Sequence, residues 1–339
     1  MHRRHLVVWS AAALAAPALA RAGSPAPEHP KLTLAVGGKN LLYYLPLTIA
    51  ESQGYFRDEG LDVTIADFAG GSRALQAVVG GSADVVSGAF EHTLIMQPKG
   101  VALRAFVLQG RAPQIVLGVN PKTMPGFKSL ADLKGRKIGV TAPGSSTHVL
   151  ANFVLAKAGL KTADFSVIGV GASSGAVAAM RAGQIDAISN LDPVITLLQR
   201  SGDLKIVSDT RVVAEADRIF GGPMPAGCLY ATQAFIDKNP LTTQALANAI
   251  VRADRWIQSA GAADIIKAVP EGYLLGDRAV YIDAFLAGKG ALSPDGRFPD
   301  AGAATALRAL QSIDETVRGA KIDLAAAWTN DFVRRAPHA

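Results

Sequence analysis

Residues 74–87 superimpose without a gap on residues 176–189, and the positions that match are those that punctuate structure. Ala74, Ala77, Gly81, Asp84 and Ser87 fall on Ala176, Ala179, Gly183, Asp186 and Ser189, and Ser72 falls on Ser174 at the same offset. Each copy reads as a capped helix, a glycine stop and a strand opened by an aspartate. Any two β-α-β units share some of this punctuation; the gapless match favours an internal duplication. The consequence is the same under either origin. The chain folds two similar α/β units, each presenting small-residue loops at the carboxyl ends of its strands, the edge at which open α/β sheets bind ligands. Two such edges facing one another make a cleft.

The rest of the pattern agrees. Short β-like runs at 31–36, 61–65, 84–87 and 101–108 alternate with helical stretches at 45–53 and 72–79. A second set begins near Asn120, with strands at 138–141, 165–170 and 187–189 and helices at 146–158 and 174–181. Such alternation predicts mostly parallel sheets with helices on both faces. From Gly227 the character changes. One more strand is expected at 229–232, and long helical stretches at 242–259, 277–287 and 301–318 then dominate. A chain of 339 residues is too long for a single core of usual size and suits two.

Composition narrows the function. Charged residues make up only 18% and hydrophobic ones 49%, a globular balance. The net charge is +6, and Arg3, Arg4 and Arg21 contribute three of those charges in the first 22 residues. No Lys/Arg block follows and the few aromatics are not interleaved with basic residues, so there is no nucleic-acid signature. The small positive excess suits an anionic ligand. His2-Arg3-Arg4-His5, the apolar run 6–20 and the small-residue pattern at Ala18, Ala20 and Ala22 read as a signal peptide over 1–22, followed by a flexible leader at 23–30. The run is too short to span a bilayer and no later segment is long enough, so the mature chain is expected in the periplasm and not inserted in the membrane. Arg3-Arg4 leaves the general and twin-arginine export routes both open. The single cysteine, Cys228, permits no intramolecular disulfide and reads as a buried thiol.

Four loops carry candidate chemistry: Gly37-Gly38-Lys39-Asn40 with Tyr43-Tyr44; Gly70-Gly71-Ser72; Ser87-Gly88-Ala89-Phe90-Glu91-His92; and Thr141-Ala142-Pro143-Gly144-Ser145-Ser146-Thr147-His148. In the fourth a strand ends, Pro and Gly turn the chain, and Ser/Ser/Thr open a helix. Free backbone N–H groups, hydroxyls and the positive helix end at such a place hold a sulfonate, carboxylate or phosphate; ordinary helix capping uses the same residues. The nucleotide-binding ending Gly-Lys-Ser/Thr is missing, as is a Gly-x-Ser-x-Gly elbow. No set of three or four metal ligands with metal-site spacing occurs, so neither a metal nor another cofactor is expected. Asn190 and Asp192-Pro193 follow a strand and suit either the cleft or turn chemistry.

In combination these stretches resemble the substrate-binding proteins of nitrate, sulfonate and taurine ABC importers, with relatives that handle thiamine precursors. The likeness rests on Gly54-Tyr55-Phe56 with Glu59-Gly60-Leu61-Asp62-Val63, on Gly70-Gly71-Ser72 with Ala83-Asp84-Val85, and on Asp132-Leu133-Lys134-Gly135-Arg136-Lys137-Ile138-Gly139-Val140 followed by Pro143-Gly144-Ser145-Ser146-Thr147-His148. Ala182-Gly183-Gln184-Ile185-Asp186-Ala187 closes the set. The resemblance covers about residues 31–250 and thins over the last helices. It implies a two-lobed α/β fold of the type II periplasmic binding-protein class, each lobe a mixed, mostly parallel sheet flanked by helices, with the ligand cleft between lobes. Lobe one would hold 31–116 plus 227–339 and lobe two 117–226, with crossings near 114–119 and 228–232. Cleft positions carried over are Asn40, Tyr43, Gly71, Ser72, Phe90, Glu91, Ser145, Ser146, Thr147, Asn190 and Asp192. The implied partners are a small-molecule ligand, an ABC permease and its ATPase, with the receptor a monomer and not an enzyme.

The ligand implied is a small organic anion, sulfonate or carboxylate, because apart from Arg73 no arginine falls in the motif loops and the cysteine-rich motif of pyrimidine-precursor binders is missing. Glu91 in the cleft would repel a simple anion and favour a ligand that also carries a hydrogen-bond donor. Two other functions remain open on the sequence: an enzyme or binder for a pyrimidine thiamine precursor, using His92 or His148 as acid–base groups, and a receptor whose closed form is read by a membrane sensor.

Overall fold

The computed structural model describes residues 25–337, so the expected signal peptide over 1–22 lies outside the described residues. Among the described residues, ten strands form two five-stranded sheets. The strands are β1 (Lys31–Gly37), β2 (Asp62–Phe68), β3 (Val85–Ala89), β4 (Leu103–Leu108), β5 (Val116–Val119), β6 (Lys137–Val140), β7 (Ser166–Gly169), β8 (Ala187–Asn190), β9 (Lys205–Asp209) and β10 (Gly227–Thr232). Their orders are β2-β1-β3-β10-β4 and β7-β6-β8-β5-β9. In each sheet one strand runs antiparallel between two others: β10 between β3 and β4, and β5 between β8 and β9. The remaining pairings, β1 with β2 and β3 and β6 with β7 and β8, are parallel. This is the two-unit α/β architecture expected from the sequence, with mixed sheets in which four of five strands run the same way and the antiparallel fifth makes half of the pairings.

The helices that flank these sheets through the first 226 residues are α1 (Leu45–Ser52), α2 (Tyr55–Asp58), α3 (Gly71–Val79), α4 (His92–Ile95), α5 (Ser146–Ala156), α6 (Ser174–Arg181), α7 (Val194–Arg200) and α8 (Val213–Phe220). The duplicated stretches fold alike. α3 and α6 both end in a glycine held at positive φ, Gly81 at 77° and Gly183 at 67°, which relieves the last helical turn as only glycine does without strain. Asp84 and Asp186 then do one job. Asp84 accepts from Thr33 N–H through Oδ2 at 2.8 Å while its own N–H donates to Thr33 O. Asp186 repeats both bonds with Lys137, its Oδ2 accepting at 3.0 Å. Each aspartate thus fixes the register of a neighbouring parallel pair, β1 with β3 and β6 with β8.

The C-terminal third is helical: α9 (Gln233–Lys238), α10 (Pro240–Ser259), α11 (Ala262–Ala268), α12 (Arg278–Gly288), α13 (Gly302–Ile313) and α14 (Glu315–Gly319). α10 packs on α1, α2 and β4 and buries Leu246, Ala249, Ile250, Ala253 and Ile257. The expected helix at 301–318 is broken at Asp314, whose Oδ1 accepts from Thr316 and Val317 N–H and caps α14. α13 leaves the first sheet's territory and packs on α5 and α8 of the second unit.

Three expectations change. The leader was expected to be flexible, but Glu28 binds the start of α10, its two oxygens accepting from Leu241 and Thr242 N–H at 3.0 and 2.9 Å. A carboxylate there meets unpaired N–H groups and the positive helix end together. Residues 228–232 are not a crossing. They lie inside β10, already paired on both sides in the first sheet, and the chain returns between Asp209 and Gly227. The strands β5 and β9 and the helices α7 and α8 complete the second unit where the sequence showed no clear element.

The two connecting segments bind one another. Gln114 N–H donates to Thr210 O, Thr210 N–H donates to Ile115 O at 3.0 Å, and the Thr210 hydroxyl donates to Ile115 O at 2.8 Å. Nearby, Gly110 N–H donates to Gly227 O and Ala226 N–H to Gly110 O. Beside this seam lies a buried ion pair, Arg211 Nη1 to Asp192 Oδ2 at 3.2 Å, with Arg211 also held by Asp209 and Asp192 Oδ1 accepting from Thr196 N–H. Removing the cation strands a buried carboxylate. We expect Arg211→Met to cost about 3–5 kcal/mol in urea unfolding, and Arg211→Met with Asp192→Leu to recover most of that loss.

Candidate functional site

Two strand-to-helix turns face each other across the lobes. Gly70-Gly71-Ser72 opens α3 after β2, and Pro143-Gly144-Ser145 opens α5 after β6. Backbones approach closely here: a Cβ on Gly37 would fall 2.2 Å from Gly70 C and Gly71 N, and one on Gly70 would fall 2.8 Å from Ala142 Cβ. Ser145 occupies the N-cap position of α5 but makes no side-chain hydrogen bond to its own helix. Its Oγ accepts from Ser72 N–H at 3.0 Å, so a residue of one lobe caps the helix of the other. Ser145 Oγ–H donates to Ser72 Oγ at 3.2 Å, and Ser72 Oγ–H donates to Pro143 O at 2.9 Å. Two positive helix ends therefore meet through neutral hydroxyls.

Further ties cross the same boundary. Asn40 Nδ2 donates to Ala172 O at 2.8 Å, and Leu42 N–H donates to Asp192 O at 3.0 Å. The Asn40 loop is held by Asp67, whose Oδ1 accepts from Gly38 and Lys39 N–H, and Lys39 pairs with Glu51 at 2.6 Å. The lobes are closed on each other.

Behind the serines lies a void of about 20 Å³, room for roughly one water. Tyr43, Glu91 and Ser146 line it together with apolar side chains, among them Val149, Phe153 and Met224. The Glu91 side chain is 4% exposed, and burial pushes its carboxyl up to about 7, eased only by its own backbone N–H. Tyr43, Tyr44, Tyr230 and Cys228 are buried around it, and burial, reinforced by the Glu91 charge, raises all four. Next to Glu91, burial pushes His92 down to about 4, and its Nδ1 lies 2.8 Å from Tyr230 OH. A Cβ on Gly71 would sit 3.5 Å from His92 Cε1 and 3.8 Å from Tyr44 OH, so the absent side chain of Gly71 opens space beside both.

The sequence-derived candidates thus separate. Tyr43, Glu91 and Ser146 share the void; Asn40, Gly71, Ser72 and Ser145 lie at the lobe contact. The other four are engaged elsewhere. Phe90 is fully buried, packs on Phe298 with centroids 5.7 Å apart, and lines no part of the void. Thr147 Oγ1 accepts from Thr141 N–H and bonds the Thr141 hydroxyl. Asn190 donates to Gly171 O and accepts from Leu191 N–H. Asp192 gives its carboxylate to Arg211 and Thr196, and only its carbonyl reaches lobe one. Sequence reasoning missed Tyr230, Phe153, Phe220 and Leu310; the last three are apolar and carry no polar signal, and the Tyr230 phenol sits in an apolar strand-like run. Among the described residues no group of three His, Cys, Asp or Glu side chains is placed to hold a metal.

The two shifted groups act in opposite senses on stability. Glu91 binds its proton more tightly folded than unfolded, so its contribution is intact below about pH 4.5 and is lost as pH rises through about 7. His92 is lowered, so its contribution is present above about pH 6.5 and is lost as pH falls towards 4. Glu91→Gln removes the first effect alone. It should stabilise the protein at pH 8, by on the order of 2–3 kcal/mol, and hardly at pH 4.5. Thermal melts at the two pH values check this; an equal change at both contradicts it.

Known proteins share this architecture and, in part, this sequence. Residues 26–269 match the model of the NMT1-like family. A solved structure from Bordetella bronchiseptica RB50 is 66% identical, covers 92% of this chain and 98% of its own, and superimposes with a TM-score of 0.91. The alkanesulfonate-binding protein SsuA of Xanthomonas axonopodis pv. citri, solved with MOPS bound, is 20% identical over 91% of this chain and all of its own, with a TM-score of 0.67, and shares the fold. The binding protein YtlA of Bacillus subtilis strain 168 is 22% identical over 245 residues, 68% of each chain. With its fold that of the two-lobed binding proteins and most of its length matched, the chain belongs to the NMT1-like family.

Proposed function

We infer that this chain is an exported solute receptor of an ABC importer, which captures a small organic anion between its lobes in the periplasm and presents it to a membrane permease and its ATPase. The observation that carries the reading is the meeting of the α3 and α5 N-termini through Ser72 and Ser145. Both helix ends offer N–H groups and partial positive charge, and a sulfonate or carboxylate is the ligand that such ends hold without a full cation. An alkanesulfonate binder of the same fold supports the choice of class.

The chain acts as a monomer whose lobes, 31–116 with 227–339 and 117–226, turn about the seam at Ile115 and Thr210. A ligand touching both lobes shifts the population to the closed form, the state a permease reads. No helix among the described residues is long and apolar enough to cross a membrane. The reading is that of a non-catalytic carrier, with either export route delivering it.

A thermal-shift panel of alkanesulfonates, taurine, nitrate, aliphatic and aromatic carboxylates and pyrimidines tests this. At about 1,000 times its dissociation constant one anion class should add roughly 4 kcal/mol, a rise of about 8–16 °C. Ser145→Ala, which removes the hydroxyl that joins the two helix ends, should weaken that ligand and leave each lobe folded. A shift with pyrimidines alone would point to the thiamine-precursor reading.

A further inference from the structure

A second and larger cavity lies on the other side of the serine contact, about 480 Å³ between α3, α4, α5 and α13. That is the size of a small-molecule site, whereas the void at Glu91 holds about one water. Both lobes build it: Ser72, Leu75, His92, Ile95, Met96 and Leu310 from lobe one, His148, Val149 and Asn152 from lobe two. Three buried polar atoms with no hydrogen-bond partner belong to residues that line it: His92 Nε2, His148 Nε2 and Asn152 Oδ1. His92 is 1% exposed. Buried polar atoms seldom stay unpaired, and three at one cavity point to a ligand.

The chemistry of that ligand follows from the protons. His148 Nδ1 accepts from Gly144 N–H at 3.0 Å, so the neutral ring carries its proton on Nε2. Burial lowers His148 and keeps it neutral near pH 7, as it does His92. His92 Nδ1 and the Tyr230 phenol lie 2.8 Å apart and either can donate; the Gly144 backbone, which raises His92, is the acceptor that places this ring's proton on Nε2 and makes the phenol the donor. His148 Nε2–H is unpaired, and His92 Nε2–H faces the Gly144 carbonyl outside hydrogen-bond geometry; these two donors, one per lobe, call for a better acceptor. Lys99 at the exposed rim adds a positive charge, and the acid in the lining, Asp314, is already tied to Thr316 and Val317 N–H. Asn152 can turn its amide to present either end.

We propose that this cavity takes the anionic head of the solute, with the Nε2–H groups of His92 and His148 donating to a sulfonate or carboxylate from opposite lobes. Leu75, Ile95, Met96 and Leu310 cover its short apolar body. The assignment rests on the organic-anion reading above and locates the ligand away from Glu91. It also gives closure a cause, because neither lobe alone supplies both donors.

Calorimetric titration with propane-1-sulfonate and butyrate tests it, alongside imidazole ¹⁵N spectra of the full chain. Both rings should show the Nε2–H tautomer, and both Nε2–H signals should move when propane-1-sulfonate is added. His148→Leu should weaken binding about ten- to a hundredfold, the loss of a hydrogen bond to a charged group, and His148→Gln should restore part of it. His148 is half-buried in the first turn of α5, and an unchanged melting temperature would confirm that these variants fold; His92→Asn is the second, more deeply placed variant. If either anion binds with the imidazole signals unmoved, or with His148→Leu and His92→Asn at wild-type affinity, the histidine assignment is overturned while the receptor reading stands. If neither these anions nor any other of the panel binds, both fall.

Discussion

Neither sheet is complete until the chain has crossed between the lobes. β4 has no partner in its sheet except β10, and β10 arrives only at Gly227, after the whole second unit has been laid down. β5 fills the equivalent slot in the second sheet, joining β8 to β9. Each lobe is therefore finished by an antiparallel strand adjoining a connecting segment, and the two segments are themselves paired at Ile115 and Thr210. This gives a narrow seam of backbone hydrogen bonds, with a buried Arg211–Asp192 pair beside it.

That constraint brings together groups far apart in the chain. The carboxyl edges of β1, β2 and β3 meet those of β6 and β8, and what faces across is neutral: serine hydroxyls, backbone N–H groups, tyrosines and two uncharged imidazoles. The charges nearby are already satisfied, Lys39 by Glu51 and Asp192 by Arg211. The exception is Glu91, buried without a partner side chain and pushed up to about 7. Under the proposed function, selectivity for an anion would come from the number and direction of N–H groups.

Much of this was legible in the residues. The gapless match of 74–87 on 176–189 foretold two helices stopped by glycine and two strands opened by aspartate, local demands of the backbone; that each aspartate also fixes strand register was decided by the sheet. Gly70-Gly71-Ser72 and Pro143-Gly144-Ser145 were legible as helix starts, but the sequence could not say that Ser145 would cap the opposite helix. Phe90 and Thr147 were misdirected for one reason: adjacency to a loop says nothing of the side to which a side chain points. In β3 and its continuation, one position turns to Phe298 in the core and the next to the void.

The sequence by itself determined the units: where strands and helices begin, which glycines must be glycine, and that two similar α/β halves would present their loop edges. These follow from φ/ψ preference and hydrophobic period, which act over a few residues. Only the tertiary structure decided which groups share a cavity. His92 and Tyr230 are joined by β10's return to the first sheet, His148 reaches the same place from the second unit, and Leu310 of α13 closes it from the C-terminal third. Pairings over such separations depend on how completed lobes dock, and no local propensity encodes that.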